Sequence, residues 1–226
     1  MDPEDIRLAV YEQFARTGQA PTATALATRF GAPVGAAAEA LSDLASRRHL
    51  ALDPTRSDDA GVSTIALAHP FSSIPMGFSV MGGKTLWWGG CAWDSFALPQ
   101  LVPDDPEVLV ATTCLACGRP HAWVVGRDGP PPGDQVAHFL VPAARMWDDV
   151  IHTCSHQRIF CDAACVDRWL SDSGLVRGYV MDLTTLWRLA AHWYDGRLDR
   201  GYRRREPSDA AAYLRSAGLE GPFWGL

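Results

Sequence analysis

Apolar positions near the start of the chain recur every four residues. Ile6, Val10 and Phe14 share one face of a helix that opens on Asp2, carries Pro3, Glu4 and Asp5 in its first turn, and stops at Gly18. The stretch "TATALATRF" fits a second short helix ending at Gly31. A third runs from about Pro33 to Arg48, burying Ala37, Leu41 and Leu44 and placing Arg47 and Arg48 where cations suit the helix dipole. The turn-rich "DPTRSDDAG" and the β-prone "VSTIAL" then read as the hairpin of a winged helix. After "AHPFSSIPMGFSV" the period changes to short β-prone runs, "EVLVATT", "HAWVVG", "VAHFLVP" and "VRGYVMD", with "GRDGPPPGDQ" as a surface turn. Helices are expected at roughly Ala163 to Ser171 and Leu183 to Tyr194. The pattern predicts an α+β chain: a winged-helix-like N-terminal domain over 1–75, then a mostly antiparallel β-sheet domain with flanking helices over 76–226.

Composition narrows the partners. With 226 residues, 47% hydrophobic and 20% charged, the chain can bury a real core. A net charge of -6 and a pI near 5.6 weigh against nucleic acid, because that affinity needs clustered cations to neutralise phosphate. The helix that would enter a DNA groove begins "PVGAAAEALSD", offering Glu39 and Asp43 with no Arg or Lys in its first two turns. The N-terminal unit is therefore expected to pack as a lid or support. No run of about 18 apolar residues exists, and the N-terminus is acidic where a signal peptide would be basic, so no membrane partner is expected and the chain reads as cytoplasmic.

Six cysteines without a secretory signal suggest thiol chemistry or metal ligation more than a disulfide framework. In "GGCAWDSFALPQLV", Cys91 and Asp94 are spaced to share one face of a helix beginning near the glycines, where the dipole favours a thiolate. Asp94, flanked by Trp93 and Phe96, would be partly desolvated and able to hold or deliver a proton near neutral pH. Against this stands the plain reading of a buried apolar Cys and a turn-capping Asp. Downstream, "TTCLACGRP" holds Cys114 and Cys117, and "VIHTCSHQRIFCDAACVDRWL" holds Cys154, Cys161 and Cys165. Cys114, Cys117, Cys161 and Cys165 have the C-x-x-C and C-x-x-x-C spacing of four soft ligands around a structural Zn²⁺. That leaves Cys91 beside a carboxylate and Cys154 beside His156. Two thiolates and a carboxylate suit a soft metal better than hydrolysis, since a proton donor beside the metal could protonate a carbon bound to it.

These segments resemble the organomercurial lyase (alkylmercury lyase) family. "TLWWGGCAWDSFALPQLV" resembles its Trp-Cys-Ala-x-Asp segment, "TCSHQRIF" its second catalytic cysteine segment, and "TTCLACGRP" a segment with a structural cysteine. The resemblance implies Cys91 and Cys154 as catalytic, mercury-binding cysteines, Asp94 as the catalytic aspartate and Cys114 as a structural cysteine. It implies protonolysis of carbon–mercury bonds with no cofactor required. An organomercurial would be the substrate, and Hg²⁺ would pass to small thiols or to a mercuric reductase. Cys117, Cys161 and Cys165 exceed what that chemistry needs, and Gly90 stands where the family often has an aromatic residue.

Two other classes remain open on sequence alone. One is a thiolate protein that binds zinc or copper without turnover; Asp94 separates it from a lyase, because chelation needs no acid beside Cys91. The weaker one is a metal-sensing winged-helix regulator. The tryptophans, including Trp87, Trp88, Trp169, Trp187 and Trp193, read as core and cavity walls. His69, His121, His138 and His192 read as structural, and the basic "RGYRRREPSD" as a solvated face or a docking patch.

Overall fold

Local capping accounts for the first two helices. In the computed structural model, which describes residues 1–226, helix α1 (Pro3–Thr17) is capped by Asp2, whose side chain accepts from the Glu4 N–H, and Gly18 ends it in the left-handed region. Helix α2 (Ala23–Phe30) lies between Thr22 and Gly31 in the same way. Helix α3 (Val34–Ser46) stops two residues short of the expected Arg48, which sits at a φ of 60°.

Strands β1 (Ala51–Ser57) and β2 (Ser63–Ala68) form the expected hairpin, but β1 includes all of "DPTRS". The anticipated turn shrinks to Asp58–Gly61, where Asp58 Oδ1 accepts from the Ala60 and Val62 N–H groups. Pro54 is tolerated because β1 is an edge strand whose register against β2 is irregular. Strands β3 (Phe71–Ser72), β4 (Phe78–Met81) and β5 (Leu86–Gly89) follow. Helix α4 (Ala92–Leu101) precedes β6 (Glu107–Thr113) and β7 (Pro120–Gly126). These strands make one antiparallel sheet in the order β1-β2-β3-β5-β4-β6-β7. In β6 and β7 the alternation is regular: Val108 and Val110 point inward opposite Val125 and Trp123.

The remaining elements are β8 (Val136–Phe139), α5 (Val150–Ser155), β9 (Gln157–Phe160), α6 (Ala163–Ser173), β10 (Tyr179–Asp182), α7 (Leu183–Ala191) and α8 (Pro207–Ser216). Strands β10, β8 and β9 pair antiparallel in a second small sheet. The α+β class and the antiparallel sheets agree with the sequence pattern. Helix α8, which begins inside the basic run at Pro207, does not follow from it. No helix is long and apolar enough to cross a membrane.

One apolar core runs from Ile6 to Trp224, and residue 75 marks no break in it. The hairpin joins the main sheet through β2 and β3, Trp87 Nε1 donates to the Phe14 carbonyl at 2.9 Å, and Arg7 donates to the carbonyls of Arg197 and Asp199. The helix at the centre of this core is α4, buried along nearly its whole length between strands β4, β5 and β6 and helix α7. A helix apolar on every side has no solvent face, so whatever its first turn carries is fixed from several directions.

Two histidines make the fold acid-sensitive. Burial, with Arg177 and His156 nearby, depresses His138 to about 4, and its Nε2 accepts the Gly178 N–H at 3.0 Å, which only a neutral ring can do. Burial with the Arg197 and Arg7 cations depresses His49 to about 4 as well. Both take a proton more readily when unfolded, so their contribution is fully present above a pH of about 6.5 and is lost as pH falls towards 4. The urea midpoint should therefore be lower at pH of about 5 than at about 7.5. His138→Gln, which keeps an acceptor but does not titrate, should narrow the gap; equal midpoints at the two pH values for the native protein would contradict this.

Candidate active site

The stretch "WWGGCAWDS" closes β5 and opens α4. Cys91 occupies the N-cap with extended backbone, and its sulfur accepts the Asp94 N–H at 3.4 Å. That position more often holds Ser, Thr, Asp or Asn, so the sulfur is a weak cap in a place where a better one was available. The same sulfur lies 3.3 Å from Asp94 Oδ2. Both glycines are explained by close approach. A Cβ on Gly90 would overlap Asp94 Oδ2 and crowd Leu67, and one on Gly89 would overlap Ser95. Gly90 thus leaves the space that the Asp94 carboxyl group occupies.

Three other segments converge on this turn. Cys154, near the end of α5, shares a cluster with His69 and Asp94 in which the ligand atoms all lie within 4.8 Å of one another. Tyr194, just beyond α7, donates its hydroxyl to Asp94 Oδ1 at 2.5 Å. His69 Nδ1 stands 3.6 Å from Asp94 Oδ2 and has no hydrogen-bond partner. Behind Tyr194, the buried Arg197 guanidinium lies 5.0 Å from the phenol ring. Cys91, Asp94 and Cys154 are only 2%, 1% and 5% exposed, so their interactions operate largely away from water.

Electrostatics set the resting protons. Burial, the Cys154 thiol and the Asp94 charge push the Cys91 thiol well above its ordinary range. For Cys154, the hydrogen bond from Cys91 favours the thiolate, but burial and Asp94 outweigh it and leave this thiol raised too. Cys154 is the easier of the two to ionise, because Cys91 can donate to its thiolate. Burial, then Asp94 and Cys91, keep Tyr194 a phenol, and burial keeps His69 neutral against the partial opposition of Asp94. Both oxygens of Asp94 therefore face donors, the Tyr194 hydroxyl at Oδ1 and the Cys91 thiol at Oδ2.

These residues open onto a cavity of about 480 Å³. Its walls are aromatic, with Trp93, Trp147, Trp193 and Trp224, and Arg48, Arg204 and Arg205 also line it. Arg204 lies over the Trp147 ring at 4.9 Å and Arg205 over Tyr213 at 4.6 Å. The basic run is thus part of the cavity wall, not only a solvated face.

Cys91, Asp94 and Cys154 come together as the resemblance implied. Cys114, Cys117, Cys161 and Cys165 form a second cluster of their own. There, burial raises the Cys114 thiol, but N–H groups of Cys161, Ala116 and Cys117 bring it down to about 7. His69 and His121 are not isolated: His69 faces the Asp94 carboxyl group, and His121 lies 3.5 Å from the Cys161 sulfur. Tyr194 and Arg197 were not foreseen. Each is a single residue in the turns that follow α7, Tyr194 lying 100 positions from its partner, and no local spacing marks it.

A family model described as alkylmercury lyase (MerB) matches residues 71–195, more than half of the chain. Cys91, Asp94, Cys154 and Tyr194 fall within that span.

 His69 lies just before it. No curated protein matches the chain. Among solved structures, the fold is similar to the "Crystal structure of the mercury-bound form of MerB2", with a TM-score of 0.63 and 19% sequence identity over 87% of this chain and 91% of that one. The family match, over a span that includes both buried thiols and the carboxylate between them, decides the assignment: the chain belongs to the alkylmercury lyase family.

Proposed function

We propose that the protein is an organomercurial lyase that cleaves carbon–mercury bonds by protonolysis. The observation that carries this reading is the Cys91 sulfur held 3.3 Å from Asp94 Oδ2, with Cys154 in the same buried cluster at the cavity. The family membership and the mercury-bound state named for the similar structure support it.

The proton inventory suggests an order of events. Cys154, the more easily ionised thiol, attacks the mercury of R–Hg–X; X leaves, taking the Cys154 proton as HX. Cys91 then joins the same mercury and passes its proton to Asp94 Oδ2. Asp94 delivers that proton to carbon as the carbon–mercury bonding pair moves onto it, and R–H departs. Mercury remains as Hg²⁺ on two thiolates, a pair that soft-metal preference favours. Two small thiols then displace it and return protons to Cys91 and Cys154. Tyr194 holds Asp94 through its other oxygen and so aims Oδ2 at the sulfurs.

A protein that only stored a soft metal would need both thiols but no proton carrier against one of them, so the Cys91–Asp94 contact favours turnover. With phenylmercury or methylmercury and excess small thiol, the purified protein should release benzene or methane repeatedly. Binding of mercury with no hydrocarbon from either substrate would favour the storage reading.

A further inference from the structure

The second cysteine cluster lies outside the chemistry proposed above. Cys114 and Cys117 belong to the turn joining β6 to β7. That turn is tightened by the Cys114 N–H to the Arg119 carbonyl and the Gly118 N–H to the Cys114 carbonyl, both at 2.9 Å, with Gly118 at a φ of 73°. Nothing lies within 4 Å of where a Gly118 Cβ would be, so glycine is used there for its backbone conformation and not for space. Cys161 follows β9, and Cys165 lies in the first turn of α6, where the Asp162 cap accepts its N–H at 2.8 Å. Two segments far apart in sequence thus present two sulfurs each. All four sulfurs lie within 4.8 Å of one another, and Cys117 and Cys161 are 3.5 Å apart. Four sulfurs around a tetrahedral Zn²⁺ at about 2.3 Å stand about 3.8 Å from each other, so the cluster needs only small adjustments to close on the ion.

We infer that Cys114, Cys117, Cys161 and Cys165 bind one structural Zn²⁺ that clamps the β6–β7 turn to α6. The surroundings fit a structural role. Cys114 and Cys165 form a small satellite core with Phe160, Val166 and Leu170, separate from the main one. Four protein ligands fill a tetrahedral ion and leave no position for substrate. Cys117 is exposed, which gives the ion a route in from solvent, and binding releases the thiol protons to water. His121, 3.5 Å from the Cys161 sulfur and stacked on Trp123, is placed to hydrogen-bond to a bound thiolate.

The test uses the whole protein, purified without chelators, and needs no mercury substrate, so it stands or falls apart from the lyase reading. Elemental analysis should find about one zinc per chain, and X-ray absorption at the zinc edge should give four sulfur neighbours at about 2.3 Å. Cys117→Ser, at the exposed corner, should lose most of the zinc, while Cys91→Ser and Cys154→Ser should keep it. If Cys117→Ser does not fold, the absorption spectrum of the native protein alone decides. Protein without zinc that does not take up added Zn²⁺, a Cys117–Cys161 disulfide in its place, iron instead of zinc, or zinc lost on Cys91→Ser would each overturn the assignment.

Discussion

Asp94→Asn is expected to lower hydrocarbon release by about 10²- to 10⁴-fold, the usual contribution of a positioned proton donor, while mercury still binds. Asparagine fills the space that Gly90 leaves, and its carbonyl oxygen can still accept the Tyr194 hydroxyl that meets Asp94 Oδ1 at 2.5 Å. What it cannot do is receive the Cys91 proton and hand it to carbon. The two thiols that grip mercury are untouched. Titrating Hg²⁺ binding and measuring benzene from phenylmercury on the same preparation separates the two roles. Turnover equal to the native protein would remove Asp94 from the mechanism.

Cys91→Ser and Cys154→Ser should each reduce turnover to background and weaken mercury binding. A hydroxyl is a hard, poor ligand for Hg²⁺, and the single remaining sulfur cannot complete the two-thiolate product. Cys91→Ser is the cleaner of the two experiments, because serine is a better N-cap than cysteine and α4 should keep its stability. Lost activity in a protein with unchanged thermal unfolding therefore reports chemistry. Cys114→Ser should behave in the opposite sense and harm folding more than cleavage, since this buried thiol belongs to the satellite core and not to the cavity. Substantial turnover by Cys91→Ser or Cys154→Ser would mean that one sulfur suffices.

Much of this site was legible because its signals are local. Asp2, Thr22, Gly18 and Gly31 bound their helices by backbone hydrogen bonds made within a few residues. Cys91 and Asp94 are three positions apart, so a helix alone brings them together. The C-x-x-C and C-x-x-x-C pairs are likewise set by one turn each, and only their meeting depends on the fold. What stayed hidden depends on long-range packing. His69 reaches the site from the loop after β2, and Tyr194 from the turn after α7. Arg204 and Arg205 look solvated in sequence because nothing nearby reveals that Trp147 and Tyr213 lie beneath them. Near residue 75 the period changes from helical to strand, and the hairpin before it is hydrogen-bonded into the sheet that follows.

A single-turnover experiment reaches the central claim most directly. The native protein, freed of small thiols and mixed with one equivalent of phenylmercury, should release about one equivalent of benzene and retain Hg²⁺, because Cys91, Cys154 and Asp94 together supply both sulfurs and the proton that carbon needs. Phenylmercury recovered intact on the protein, with no benzene formed, would contradict it.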